Sequence, residues 1–329
     1  MMPLAPVCAL MTASLISSLL LICSKGRVTR FWRGELLLAA LLAPLISVPF
    51  AWLTTPACSG SMLWIVCAAS PRASSPALRL SAGASAATFL TLLLIVLGAV
   101  AHTVSHAVTL ARRMEAVAFP ANGQLQALIA QLSHRFALAT PRLLVLTASE
   151  PLAFTYGVWR PTVVLSTWMV EEFDAEELEA VLAHELSHVV RRDYPLMLLT
   201  TTLRDAFFYL PASRVAYQWL SHEKERACDD LAVARSAQPL ALASALTKVW
   251  QVAANVRAPA QALTGQGDLL EDRVTRLLAT SAAPADTCVI PVTPRFTRRF
   301  SLPALGMLVL ANGALVALVL SAMGCLRGI

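Results

Sequence analysis

The chain has 329 residues, of which 57% are hydrophobic and only 14% are charged, and its mean hydropathy is +0.64. Soluble domains carry roughly a quarter charged residues, so this composition argues against a wholly water-soluble protein and excludes a disordered one. The net charge of +6 comes from basic residues that flank apolar segments. We therefore expect no direct contact with nucleic acid, which would need a basic face on the folded domain.

Four apolar segments are long enough to cross a bilayer core, which needs about 20 apolar residues. They cover approximately residues 4–23, 36–53, 84–110 and 301–323. The first segment has no basic stretch before it, so it predicts a retained anchor and not a cleaved signal peptide. The sequence therefore predicts a multi-pass α-helical membrane protein with four spans.

Basic residues predict how these spans are oriented, because cytoplasmic loops collect Lys and Arg. Basic residues are frequent at 24–35 and 295–299 and include the pair Arg112 and Arg113, whereas loop 54–83 has very few. This distribution predicts an N-terminus outside the cell and a cytoplasmic domain after the third span. Cys58 and Cys67 share the outer loop and could pair in an oxidising compartment, and two unpaired thiols are the alternative.

The expected organisation has five parts. They are a membrane region with three spans (1–111), a cytoplasmic domain (112–279), a linker (280–300), a fourth span (301–323) and a short tail (324–329). His102 and His106 lie four residues apart near the inner end of the third span. We interpret them as an interhelical polar contact, with an accessory metal site as the alternative.

The sequence of the cytoplasmic domain predicts a mixture of helices and strands, so the expected fold class is α+β. A helix around residues 122–136 precedes an apolar strand at 142–147. Residues 153–166 are rich in β-branched and aromatic side chains but contain Pro161, which indicates a hairpin or an edge strand. Further helices are expected at about 174–190, 194–210, 215–235 and 268–278.

The most specific motif is the run His184-Glu185-Leu-Ser-His188. Two histidines four residues apart on a helix point from one face and can bind a single metal ion. Glu185 is placed to accept a proton from water activated by that ion. Two histidines, a carboxylate and an open position are typical of a catalytic zinc site, whereas the alternative is an amphipathic helix with polar surface residues.

A third ligand is expected on a later helix. Glu225 and Asp229 are four residues apart in the run Glu225-Arg-Ala-Cys-Asp229. Glu225 could bind the metal while Asp229 orients a ligand histidine through a hydrogen bond. Spacing alone leaves Glu223 and Glu171 open as ligands, and it leaves open that this run is a solvated charged face.

These motifs resemble those of the BlaR/MecR family of integral-membrane zinc metallopeptidases. The similarity includes the histidine motif with its continuation to Arg191-Arg-Asp193, the Glu225–Asp229 run, and the segment from Pro151 to Pro161. The resemblance implies a gluzincin-type fold in a bacterial inner membrane. It also implies one Zn²⁺ per chain, bound by His184, His188 and Glu225, with Glu185 as general base.

The same resemblance implies that the chain hydrolyses a cytosolic protein. The expected substrate is a BlaI/MecI-like transcriptional repressor. An extended substrate could add to the strand of Phe154, Tyr156 and Gly157, and an ordinary interior hairpin is the alternative. Family members that sense β-lactams have an extracellular penicillin-binding domain, and this sequence ends at Ile329. Direct antibiotic sensing is therefore not expected, and whether the chain forms a homo-oligomer is left open.

Three other functions compete with this hypothesis. A quality-control protease of the HtpX or Ste24 kind shares the histidine motif and a later glutamate. A non-catalytic membrane regulator would have a structural or idle metal site, but such a site has no need of Glu185. A protease with its motif inside the bilayer is disfavoured, because charges at a bilayer centre cost about 2.5–3.5 kcal/mol each and residues 174–193 carry several.

Overall fold

The computed structural model describes residues 76–256 and 266–282. Eight helices are described: α1 (Pro76–Val117), α2 (Gly123–Arg135), α3 (Thr167–Glu172), α4 (Ala175–Arg191), α5 (Asp193–Ala206), α6 (Pro211–Ser236), α7 (Pro239–Val256) and α8 (Gln266–Ala282). Four strands are described: β1 (Phe119–Pro120), β2 (Arg142–Leu146), β3 (Ala153–Tyr156) and β4 (Thr162–Ser166). The described residues are mostly helical with one small sheet, so the predicted α+β class is confirmed.

Among the described residues, one helix is long and apolar enough to cross a membrane. It is the Leu90–Val117 part of α1, which overlaps the span predicted at 84–110. The other three predicted spans, the linker beyond Ala282 and the short tail lie outside the described residues, as do Cys58 and Cys67. The four-span arrangement therefore stays a prediction.

The chain divides into two compact units. The first contains Leu199–Leu220 together with the described residues up to Val104, and the second contains Ser105–Leu198 and the described residues from Ser221 onwards. In the first unit the turn between α5 and α6 is closed by Ser213, whose hydroxyl donates to the carbonyl oxygens of Leu210 and Phe207 at 2.8 and 2.9 Å. All residues of the predicted site belong to the second unit.

The sheet of the second unit has the strand order β1-β2-β4-β3. Strand β4 pairs in parallel with β2 and antiparallel with β3, and every residue of β4 is buried. This burial explains the apolar run of β4, because a central strand covered on both faces needs apolar side chains throughout. Strands β3 and β4 form a hairpin in which β3 lies at the sheet edge, so both alternatives that Pro161 left open are present.

Each face of the sheet packs against a different set of helices. Leu143, Val163 and Leu165 of one face join α2, α4 and α7 in the main hydrophobic core. Leu144, Tyr156 and Val164 of the other face pack against residues at the C-terminal end of α1. The sheet therefore fixes β3 beside α4, the helix that carries the histidine motif.

The short helix α3 was not predicted, and two longer helices also differ from the sequence-based expectation. Helix α7 was not predicted, although Leu242, Ala245, Leu246 and Val249 follow the spacing of an amphipathic helix. Helix α8 runs from Gln266 to Ala282 and is longer than the segment expected at 268–278. Both helices contribute side chains to the cavity described below.

Candidate metal centre

Local interactions define the start and the end of helix α4. Asp174 caps it by accepting a hydrogen bond from the Glu177 amide at 2.8 Å, and the Glu177 carboxylate accepts one from the Asp174 amide at 3.1 Å. Such a reciprocal pair satisfies two amides that the first turn leaves unpaired. The helix ends at Arg191, and its C-cap Arg192 adopts the left-handed conformation with a φ of 53°. A capping box therefore defines the start of α4.

The two histidines of α4 lie one turn apart on the same face, with ring centroids 4.9 Å from each other. Glu225 of α6 meets them there. Its Oε2 is 3.4 Å from His184 Nε2 and 4.0 Å from His188 Nε2, and one ligand atom from each of the three residues lies within 4.8 Å of the others. Neighbouring ligands of a tetrahedral zinc are roughly 3.3 Å apart, so these residues fit a zinc ion after small adjustments.

Each histidine has its other ring nitrogen against a buried carboxylate. His184 Nδ1 lies 3.0 Å from Asp229 Oδ1, and His188 Nδ1 lies 2.8 Å from Asp193 Oδ2. A hydrogen bond with Asp193 fixes the ring of His188, as in carboxylate–histidine–metal triads. His184 Nδ1 has a charge contact with Asp229 but no hydrogen bond. Asp229 thus lies beside His184, and Asp193 lies beside His188. Asp193 also forms a salt bridge with Arg191, at 3.2 Å.

The electrostatics of this cluster favour a cation. Burial alone would raise the pKa of the Glu225 carboxyl, but its hydrogen bond with His184 and the charges nearby hold that pKa well below its usual value. Burial alone would lower the pKa of His184, yet Asp229 and Glu225 raise it to about 10. Carboxylates therefore surround the two imidazoles, and a divalent cation can neutralise them in place of protons.

Arg273 is a member of the cluster that the sequence did not reveal. From α8 it donates two hydrogen bonds of 2.7 Å to the carboxylate of Asp229. Its Nη1 is also 3.5 Å from Glu225 Oε2. A bidentate guanidinium fixes the plane of a carboxylate. Arg273 therefore orients Asp229, which lies beside His184. Within the sequence Arg273 is one of two arginines in the segment 268–278, and nothing distinguished it as a partner of Asp229.

Cys228 lies behind His188, in a second group of ligand-type atoms. Its Sγ is 3.1 Å from Asp193 Oδ2 and 3.2 Å from His188 Nδ1. Burial raises the pKa of the Cys228 thiol well above its usual value, and the charge of Asp193 adds to the effect. We therefore interpret the thiol as neutral and as a hydrogen-bond donor to Asp193.

Glu185 lies beside the ligand cluster and is 5% exposed. Its Oε2 accepts a hydrogen bond of 2.9 Å from the hydroxyl of Thr155 on the edge strand β3. This contact holds one carboxylate oxygen in place. Thr155 was not singled out in the sequence, although it lies between the predicted substrate-strand residues Phe154 and Tyr156.

A cavity of about 420 Å³ contains these groups. It is lined by the edge strand, by Glu185 with the three ligand-type residues, and by an apolar wall from α7 that includes Leu242, Leu246 and Val249. The side chain of Tyr156 is buried in the face that packs against α1, and Gly157 follows β3 directly. Strand β3 therefore presents its backbone and Thr155 to the cavity.

The other predicted residues have different positions. Glu223 forms an ion pair with Arg226 at 3.6 Å, and it is not among the residues that could hold a metal ion with the histidines. His102 and His106 lie at exposed positions of α1. The interhelical contact expected for them involves spans outside the described residues and stays a prediction.

Comparison with known proteins finds a peptidase family and proteases. A family model described as BlaR1 peptidase M56 matches residues 39–277, well over half of the chain. The chain is similar to protease HtpX of Legionella pneumophila subsp. pneumophila strain Philadelphia 1, with 30% identity over 106 residues, or 31% of this chain and 36% of that protein. Protease HtpX of the Corby strain is 30% identical over 98 residues, or 29% and 33% of the two chains. The chain spans about a third of the length of these curated relatives.

Proposed function

Because the chain belongs to the BlaR1 peptidase M56 family, we propose that it is a membrane-bound, zinc-dependent endopeptidase. The observation that carries the proposal is the meeting of His184, His188 and Glu225 beside Glu185 in one open cavity. A structural metal site would have no need of an adjacent carboxylate that binds no metal, so the arrangement favours catalysis over a passive regulator. The family membership confirms the resemblance that the motifs indicated.

Several residues of the cavity have separate roles in peptide hydrolysis. When bound, Zn²⁺ supplies Lewis-acid activation of water and of the scissile carbonyl. Glu185 accepts the proton of the attacking water and delivers it to the leaving amine, which is general base and then general acid catalysis. Thr155 orients the Glu185 carboxylate through its hydrogen bond of 2.9 Å. Asp229 and Asp193 keep both imidazoles in the tautomer that directs Nε2 to the metal.

We propose that the substrate binds as an extended strand along β3. The strand is at the sheet edge and pairs only with β4 among the described strands, and its residues line the cavity beside Glu185. An unpaired edge offers amides and carbonyls to a peptide, which is the usual chemistry of strand addition. The backbone of Phe154, Tyr156 and Gly157 would then hold the peptide, and the apolar wall of α7 would contact its side chains.

The cellular role is proposed from the family and from the apolar helix α1. We propose a multi-pass protein of a bacterial inner membrane, with the protease domain in the cytoplasm and a cytosolic protein as substrate, such as a BlaI/MecI-like repressor. Its cleavage would relay a signal. A quality-control protease acting on damaged proteins is the second candidate, and the 30% identity to protease HtpX supports it.

Metal removal tests the enzymatic proposal directly. We expect the purified full-length chain to contain one zinc per chain and to cleave an unfolded protein such as casein. A chelator should abolish cleavage and stoichiometric zinc should restore it, because Glu185 alone cannot activate water sufficiently at neutral pH. Zinc content by mass spectrometry and cleavage by gel densitometry measure the two effects. Cleavage that persists in the zinc-free protein would contradict the proposal.

Asp229→Asn should weaken zinc binding about 10–100-fold, which is the usual effect of losing a carboxylate that orients a ligand histidine. Asp230→Asn is the matched control, since the adjacent carboxylate pairs with Arg276 at 3.0 Å and touches neither histidine. Competition with a fluorescent zinc chelator gives both affinities. Equal affinities in the two variants would show that Asp229 does not support His184.

A further inference from the structure

The turn between β3 and β4 carries the most exposed large apolar side chain of the described residues. Trp159 is 93% exposed, and its neighbour Val158 is 45% exposed. We call residues 157–161 the hairpin tip. An indole ring is seldom left entirely in water, because burying it is worth several times the burial of a smaller side chain. The hairpin tip therefore needs a surface to contact.

The backbone of the hairpin tip is constrained, so the exposure of Trp159 is a built feature of the turn. Gly157 has a φ of 100°, and a Cβ atom there would collide with the carbonyl oxygen of Arg160. Pro161 fixes the backbone at the other side of the turn. Directly after it, Thr162 pairs with Tyr156 in the β3–β4 ladder. These constraints hold Trp159 away from the domain core.

The sheet register shows in which direction the hairpin tip points. Just after α1, Phe119 pairs with Val145. One turn earlier on α1, Glu115 lies 3.9 Å from Arg142, which is paired with Thr162 at the base of the hairpin tip. Moving back from Phe119 to Glu115 therefore follows the sheet toward the hairpin tip.

The hairpin also touches α1 at the level where α1 would leave a membrane. Leu110 and Met114 pack against the cluster that contains Tyr156, the last residue before the hairpin tip. Arg112 and Arg113 lie at the same level of the helix, and basic residues at this position are typical of the cytoplasmic edge of a span. With α1 placed in a membrane as proposed, the base of the hairpin tip would lie at the height of the lipid headgroups.

We infer that the hairpin tip inserts Trp159 into the headgroup region of the membrane that α1 enters. Tryptophan is enriched at membrane–water interfaces because its ring is apolar and its N–H can donate to headgroup oxygens. The exposed Arg160 beside it can pair with anionic phosphate groups. This inference rests on the proposed membrane location of α1, but not on the proposed proteolytic activity.

The contact would give the protease domain an attachment to the bilayer in addition to the predicted spans. Strand β3 leads directly into the hairpin tip, so the edge that we propose for substrate binding would be held close to the lipid surface. Substrate segments would then enter the cavity from the cytoplasmic side of the headgroups. A protein substrate is the other conceivable occupant of the hairpin tip, and the experiment distinguishes it from lipid.

Photocrosslinking in a bilayer tests the inference. The full-length chain carries p-benzoylphenylalanine at position 159 and is reconstituted in nanodiscs of phosphatidylethanolamine and phosphatidylglycerol. The matched control carries the same group at Glu150, which is exposed at the opposite end of β3. We expect at least fivefold more lipid adduct at position 159 by mass spectrometry. Equal adduct yields at both positions, or adducts only to protein, would overturn the inference.

A second measurement avoids the bulky label. In chains labelled with 5-fluorotryptophan, the fluorine resonance of Trp159 is assigned by its loss in Trp159→Phe. We expect lipids that carry a gadolinium chelate to broaden this resonance at least as strongly as any resonance from a predicted span. A Trp159 resonance that stays sharp would overturn the inference. Zinc content and casein cleavage are measured on the same samples, so a failure of lipid contact is distinguishable from a failure of the protease proposal.

Discussion

Glu185→Gln is expected to lower the rate of peptide hydrolysis by about 10²–10⁴-fold, which is the usual contribution of a positioned general base. Glutamine has nearly the same shape and can still contact Thr155, but its amide cannot accept the proton of the attacking water. Zinc content should stay at one per chain, because Glu185 is not among the residues that could hold the metal. Initial rates of casein cleavage measure the loss of hydrolysis, and zinc analysis measures the retained metal.

The matched control is Glu176→Gln, which removes an exposed carboxylate from the first turn of the same helix. We expect its cleavage rate to stay within about twofold of the wild type, since most surface substitutions have small effects. A Glu185→Gln variant that cleaves as fast as this control would remove Glu185 from the mechanism. Loss of zinc in Glu185→Gln would instead show that the substitution disturbs the ligand cluster.

The same variant can identify the substrate in cells. A protein that is cleaved in cells with the wild-type chain should stay intact in cells with Glu185→Gln, and quantitative proteomics would detect the difference. One spared DNA-binding repressor would support the signalling role, whereas many spared damaged proteins would support the quality-control role. A proteome without any spared protein would contradict both roles.

Glu225→Ala is expected to remove most of the bound zinc. Losing a direct ligand should exceed the about 10–100-fold loss of affinity that follows from losing an orienting carboxylate. The two remaining ligands, His184 and His188, come from one helix and leave the opposite side of the ion to water. Zinc analysis after dialysis against a weak chelator measures the effect, and hydrolysis should fall in parallel.

Glu223→Ala is the control for this experiment, because spacing in the sequence left Glu223 open as the third ligand. Glu223 forms an ion pair with Arg226 at 3.6 Å, so its loss should leave zinc content unchanged. If Glu223→Ala lost the metal and Glu225→Ala kept it, the assignment of the third ligand would be wrong. Equal loss in both variants would point to unfolding of α6, which circular dichroism would reveal.

Much of the site followed from local patterns. The helical repeat of 3.6 residues places side chains four positions apart on one face, so the spacing of the two histidines and of Glu225 and Asp229 predicted their shared directions. The capping box at Asp174 followed equally from local chemistry. Strand β2 was predicted within one residue because its apolar run is short and bounded by turn-forming residues.

The sequence by itself determined the metal-binding face of α4, the face of α6 that meets it and the membrane-like hydropathy, because these depend on neighbours in the chain. The tertiary structure decided that β3 is an edge strand, that Thr155 holds Glu185, and that Arg273 clamps Asp229 from 44 residues away. Side-chain contacts over such separations depend on how helices and strands pack. No periodicity in the sequence encodes that packing, so these contacts could be seen only after the chain had folded.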